Sequence, residues 1–196
     1  MFPTFLDQDA DVVAQRMLDC LLVRNLDGRE IVVRIVETES YDQSDPASHS
    51  YRGNTPRTSV MFGPSGVLYV YFTYGMHYCC NVVTGPDGVG SAVLIRAVEP
   101  VTGVDILEAR RGMAGPNATN GPAKLCQALA IDSVLNRHDL KQEPLQLILG
   151  DTIEDSRIAR SPRIGIRDAA DALRRWYIVD SPYISRTHRE LGATYA

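Results

Sequence analysis

The sequence predicts an α+β fold, a single domain with a mainly antiparallel β-sheet flanked by helices. Three observations point there. Short strand-like and helix-like pieces alternate along the whole chain. Two β-branched and aromatic runs meet at Tyr74-Gly75, as the arms of a hairpin with a tyrosine at its tip would. And 196 residues, 44% hydrophobic and 22% charged, with no repeat, low-complexity stretch or linker, suit one globular unit over 1–196.

Asp9 caps a helix over roughly 10–22, where Val12, Val13, Met17 and Leu21 fall near helical spacing. Asn25-Leu26-Asp27-Gly28 reads as a turn, and a strand follows from about Glu30 to Tyr41. Residues 42–65 form a polar loop too long to be a neutral connection in a compact domain. Thr58 to Pro86 contains no Asp, Glu, Lys or Arg, a length that can span a bilayer. It carries many polar aromatics, however, and is punctuated by Gly63-Pro64-Ser65-Gly66, Gly75 and Gly85-Pro86-Asp87-Gly88, so it reads as two strands and not as a membrane helix. A strand at 91–98, a helix near 103–111 and a Gly/Asn-rich loop at 112–121 come next. Pro122 opens a helix over 122–131, and strand-like pieces at 144–149, 157–166 and 176–179 finish the chain.

A formal net charge of −4 argues against a protein that coats nucleic acid or membrane through bulk positive charge. The charge is uneven: residues 1–50 hold ten acids against four bases, leaving fourteen acids and sixteen bases for 51–196. Of the bases only Lys124 and Lys141 are lysine, and arginine suits bidentate phosphate contacts. Cys20, Cys79, Cys80 and Cys126 form no C-x-x-C and no pair at a metal-binding spacing, so they read as reduced thiols, and neither metal nor cofactor is expected. The N-terminal MFPTFLDQDADV lacks a basic segment leading into an apolar core, so a cytoplasmic protein is expected.

Ile31, Val33, Ile35, Glu37, Glu39 and Tyr41 share one face of the first long strand if it alternates regularly. Three apolar residues followed by two acids and an aromatic describe a face that leaves the core and enters a pocket; the competing reading is a strand running into solvent with a charged rim. A carboxylate beside a phenol at such a place suits general-base chemistry. Tyr69 and Tyr71 share a face of the next strand, and aromatics on a sheet with one at a tip can stack a planar ligand and wedge between bases, although such a stripe also serves a core. His49, in the long loop, lies within reach of the Glu39/Tyr41 rim.

Here the sequence resembles the alkyladenine (3-methyladenine) DNA glycosylases. The matching motifs are Val36-Glu37-Thr38-Glu39-Ser40-Tyr41, Ala47-Ser48-His49-Ser50, Arg52-Gly53, Thr55-Pro56-Arg57, the run from Gly66 to Met76 (GVLYVYFTYGM), and Tyr78-Cys79 with Asn81-Val82. They continue in Val93 to Pro100 (VLIRAVEP), Gly121 to Leu129 (GPAKLCQAL), Pro162-Arg163-Ile164-Gly165-Ile166 and Ser181 to Ser185, so the likeness spans about residues 10–186 in order. It implies a curved sheet with a tyrosine-tipped hairpin. It also implies a role for each matched residue: Glu39 as the base that activates water, Arg96 as a residue that positions this water, and Tyr41 and Tyr71 as the stack around a flipped base. His49 would close the pocket, Asn81 would stand at its wall, and Tyr74 would fill the gap left in the duplex. Asn54 and Thr58 depart from the family's pattern, at loop positions where many relatives carry Lys and Asn, which puts phosphate contacts there in question.

The implied activity is removal of alkylated or deaminated purines, 3-methyladenine first, from double-stranded DNA, which initiates base excision repair. The enzyme would act as a monomer, without a cofactor or a membrane. A base inside a duplex must be extruded before chemistry can reach it. With lysine scarce and none placed in the pocket by a motif, a Schiff-base lyase step is not expected. A sugar hydrolase using Glu37 and Glu39 fits less well, because same-face neighbours lie about 7 Å apart on one side of a substrate, whereas acid and nucleophile flank the scissile bond. A passive single-strand-binding platform gives no reason for Glu39 and lacks the basic start of the RNP1 pattern. A zinc deaminase is excluded by the missing H-x-E and P-C-x-x-C. Arg52, Arg57 and Arg96 against Asp87 in 46–98, and six arginines against two aspartates in 157–175, predict a modest basic footprint and salt-sensitive DNA binding.

Overall fold

The computed structural model describes residues 1–185. Its first helix, α1 (Ala10–Arg16), starts at Asp9, whose carboxylate accepts from the Asp11 N–H at 2.8 Å. The helix is shorter than the pattern predicts. The backbone turns into the left-handed region at Asp19 (φ 70°), and Leu21 already begins a strand. That strand, β1 (Leu21–Leu26), occupies residues that the sequence pattern assigns partly to helix and partly to turn; the turn itself is confined to Asp27-Gly28, with φ 52° and 77°, which matches the type I′ hairpin geometry. It leads into β2 (Arg29–Asp42).

The loop after β2 contains two 3-10 turns, His49–Arg52 and Ser59–Phe62. Two strands follow, β3 (Leu68–Thr73) and β4 (His77–Val83), and then β5 (Ser91–Thr102), four residues longer than its sequence pattern. Helices α2 (Val104–Arg111) and α3 (Pro122–Ala128) come next, the latter opened by Pro122 as expected. Strands β6 (Leu145–Ile148), β7 (Ile158–Ser161) and β8 (Arg175–Ile178) complete the described chain. The strand predicted over 157–166 ends at Ser161; beyond it Pro162 to Ile166 is a loop, and it approaches β2. The charge-free stretch 58–86 is a 3-10 turn and a hairpin, and among the described residues no helix is long and apolar enough to cross a membrane.

All pairings are antiparallel, in the order β3-β4-β5-β2-β1-β6. β2 has two successive neighbours on one edge: β1 pairs with residues 29–34 and β8 takes over at 37–39. The handover follows from irregularities in the β2–β5 register, between Ile35 and Glu37 and between Glu37 and Thr38. Such bulges bend a strand and increase its twist, and here they curl the sheet into a half-barrel. They also break the regular alternation expected for β2, since Ile35, Val36, Glu37, Thr38 and Glu39 are all fully buried. Even so, Thr38 and Ser40 hydrogen-bond to α1, through the Ala14 carbonyl and Asp11, while Glu37 and Glu39 engage Arg96 on β5. The main core packs Val13 and Ala14 of α1, Met17 just after it, and Leu125, Cys126 and Leu129 around α3 against the curled sheet. A smaller core of Val60, Met61, Tyr69, Val83 and Ala92 seats the long loop on β3–β5.

Candidate active site

The long loop is a pocket wall, which accounts for its length. Ser48 caps the first 3-10 turn, and Ser50 donates its hydroxyl to the Gly90 carbonyl at 2.9 Å. Gly90 permits this approach, because a Cβ there would lie 2.5 Å from the Phe62 ring and 2.8 Å from Ser50. Thr58, buried, accepts from the Thr55 N–H at 2.9 Å and donates to the Gly53 carbonyl at 3.0 Å. Thr58, one of the two loop positions the sequence marks as unusual, is therefore an internal brace of the loop.

The loop and the β3–β4 hairpin enclose a cavity of about 200 Å³ lined by Tyr41, Ala47, His49, Met61, Tyr69, Tyr71, Thr73, Tyr74, Asn81 and Ile166. The space is small beside the usual drug-sized ligand pocket and suits a single planar heterocycle. Five of the seven residues singled out in the sequence meet on it. Tyr69 and Tyr71 lie on one face with ring centroids 5.6 Å apart, and the His49 ring packs edge-on to Tyr71 at 4.6 Å. Asn81 is buried and donates its amide to the Tyr69 carbonyl at 3.2 Å.

His49 is held at both nitrogens. Nδ1 lies 3.0 Å from the Tyr69 hydroxyl and Nε2 lies 3.4 Å from an Arg57 guanidinium nitrogen, which can only donate. That assigns the imidazole proton to Nδ1. Burial, assisted by the Arg57 charge, lowers the His49 pKa to about 4, so the ring is neutral at physiological pH. Burial also pushes the Tyr71 phenol upward, and the neighbouring Cys79 thiol up to about 11.

Glu39 and Arg96 do not line the cavity; they stand behind Tyr41. The Tyr41 hydroxyl donates to Glu39 Oε2 at 2.8 Å, the Ile164 N–H donates to Oε1 at 2.8 Å, and Arg96 Nη1 lies 3.2 Å from Oε1. Arg96 also reaches Glu37 at 3.3 Å and so bridges two fully buried carboxylates. Burial opposes its charge, but Glu39 and Glu37 outweigh burial and raise its pKa. Burial and then Glu39 push the Tyr41 phenol up, keeping it a proton donor. Glu37 is fixed further by Arg175 and by the Ser185 N–H at 2.6 Å, an arrangement that suits a structural carboxylate.

The sequence reading missed the 162–166 loop. Arg163 stacks on the Tyr41 ring at 4.6 Å, donates to the Ser40 carbonyl at 3.0 Å and pairs with buried Asp45. Ile164 reaches Glu39 and Ile166 lines the cavity. Only the Pro162–Ile166 motif hinted at it. The same burial removes much of the basic footprint inferred for 157–175. Arg163 and Arg175 are buried in ion pairs, and Arg174 contacts Asp42 at 2.6 Å.

Tyr74 occupies the tip of the β3–β4 hairpin. The Met76 N–H donates to the Thr73 carbonyl at 3.2 Å, and positive φ at Tyr74 (52°) and Gly75 (67°) makes the turn type I′. The Tyr74 side chain is 83% exposed, between exposed Phe72 and Met76. All four cysteines are free and buried. Among the described residues no group of three or more His, Cys, Asp or Glu side chains is arranged to hold a metal ion.

The profile of the methylpurine-DNA glycosylase family matches residues 4–182. A relative from Carboxydothermus hydrogenoformans is 49% identical over 184 residues, covering 93% of this chain and 96% of its own. One from Methanoculleus marisnigri is 48% identical over 189 residues and one from Legionella pneumophila (strain Lens) 46% over 187, each with the same coverage. All three are provisionally named 3-methyladenine DNA glycosylase. With nearly its whole length matched, the chain belongs to the methylpurine-DNA glycosylase family, hydrolases of N-glycosyl bonds.

Proposed function

We propose that this protein is a monomeric, monofunctional, cytoplasmic glycosylase that excises alkylated and deaminated purines, 3-methyladenine first, from duplex DNA. The observation that carries the reading is a fully buried carboxylate, Glu39, bonded to a tyrosine whose ring lines a base-sized cavity beside an exposed aromatic tip. Tyr74 enters the duplex and the damaged nucleotide rotates into the cavity. Unstacking costs a few kcal/mol, and each aromatic stack returns about 1–3 kcal/mol. Tyr41 and Tyr71 supply two such faces. Alkylation at N3 or N7 leaves the purine cationic, which favours the tyrosine π-faces. A neutral His49 contacts such a base without repelling it, and Asn81 at the wall selects against unmodified guanine.

Glu39 takes a proton from water as the oxygen bonds to C1′. The C1′–N bond breaks and its electron pair leaves with the purine: an N3- or N7-alkylated cation departs neutral, whereas a deaminated purine, neutral in the duplex, takes up a proton as it leaves. The carboxylate also stabilises the oxocarbenium character of the sugar, and Arg96 orients carboxylate and water. Neither Lys124 nor Lys141 lines the cavity, consistent with hydrolysis without a Schiff base.

The test is incubation with methylated duplex followed by alkaline cleavage at abasic sites. Wild-type protein is expected to release purine, and Glu39→Gln to bind lesion duplex but release none. Undiminished release by Glu39→Gln refutes the assignment.

A further inference from the structure

Glu39 has a hydrogen-bond ledger that can be closed. A carboxylate offers about four acceptor positions, two on each oxygen. Oε1 accepts from the Ile164 N–H at 2.8 Å and forms an ion pair with Arg96 Nη1 at 3.2 Å. Among the described residues Oε2 accepts only from the Tyr41 hydroxyl, at 2.8 Å. One donor on Oε2 leaves its second acceptor position unmatched by any described group. Tyr41 is itself held. Its ring is backed by the Arg163 guanidinium at 4.6 Å, and Arg163 is anchored on Asp45 and the Ser40 carbonyl.

We propose that Tyr41 is, besides a stacking surface, the positioning residue of Glu39: its hydroxyl fixes Oε2 in the orientation from which the carboxylate activates water. This rests on the assignment of Glu39 as the base. The other groups around Glu39 do not replace the hydroxyl. Arg96 on β5 divides its charge between Glu37 and Glu39, and Glu37 on β2 is a like charge shared with Arg175 of β8. Tyr71 on β3 and Cys79 on β4 are neutral neighbours, both held protonated by burial. Arg163 reaches Glu39 only through the ring. The Tyr41 phenol is therefore the one side-chain donor serving Oε2 among the described residues. When Oε2 takes the proton from water, the hydroxyl can turn and accept it, so the same contact holds the protonated base in place until release.

Tyr41→Phe keeps the ring and deletes the donor. A donor to a carboxylate favours its ionised form, so deletion raises the pH at which the base is lost. The acid limb of the single-turnover excision profile on methylated duplex is expected to move up by about one pH unit, the scale of one hydrogen bond to a charged acceptor. Affinity for duplex carrying a stable abasic analogue is expected to stay within about twofold, since the stacking ring remains. Fluorotyrosine at position 41, a more acidic and stronger donor, is expected to move the limb down, and it tests the idea even if Tyr41→Phe folds poorly. An unshifted limb in both variants, with Glu39→Gln inactive, overturns the role of the hydroxyl and leaves Glu39 as the base. An active Glu39→Gln overturns both.

Discussion

Replacing Tyr74 with Asn is expected to separate stability from function at the hairpin tip. Tyr74 adopts φ 52° in a type I′ turn, where an aromatic side chain is strained and Asn is tolerated, and 83% of its surface is exposed. Little packing is lost on substitution, and about 1 kcal/mol of backbone strain is relieved. For a chain of this size, 1 kcal/mol corresponds to a Tm increase of about 2–4 °C. The same change removes the ring that would fill the vacated stack. With about 1–3 kcal/mol per stacked aromatic, affinity for lesion duplex is expected to fall about 5- to 150-fold. Thermal unfolding monitored by circular dichroism gives the first quantity, and fluorescence anisotropy on lesion and undamaged duplex gives the second. A lower Tm would mean that Tyr74 packs against the fold. Unchanged discrimination between the two duplexes would refute the wedge.

His49 gives a pH prediction of definite sign. Its folded pKa of about 4 lies below the ordinary histidine value of 6.5, so between those values the unfolded chain binds a proton that the folded chain does not. Urea stability is expected to fall as pH drops from about 6.5 toward 4, and His49→Gln to flatten that part of the curve. Asp45 accepts from the fully buried Arg163 guanidinium, so Asp45→Asn strands a buried cation. A loss of about 3 kcal/mol is expected, read as a Tm lowered by about 10 °C, together with slower excision because Arg163 backs Tyr41.

The hairpin and the long strand β2 were legible because their signals are local: turn chemistry at Tyr74-Gly75, and a β-rich run ending in acids. Strand β1 was not. Its residues LLVRNL do not alternate, and Arg24 is buried because its guanidinium donates to the carbonyls of Leu129, Ala130, Pro144 and Asn25, partners far away in sequence except for the last. The end of α1 was overrun for a similar reason: helical spacing continues to Leu21, but pairing of β1 with β2 and β6 claims the residue. The positive charge of 157–175 was a sum over sequence, whereas Arg163 and Arg175 point inward to carboxylates of another segment.

What the sequence determined by itself was the set of parts: an acid beside a phenol at the end of a strand, aromatics sharing a face, an exposed tyrosine in a tight turn, and a loop too long to be idle. These depend on spacing along one chain segment, and periodicity reads them. Only the tertiary structure decided how Glu39 is held. Its hydrogen-bond donors come from β2 and from the loop before β8 and its ion-pair partner from β5, brought together by the register slips that curl the sheet. Hydrogen bonds between segments separated by up to 125 residues leave no periodic trace in either segment, so the setting of Glu39 exists only once the chain has closed around it.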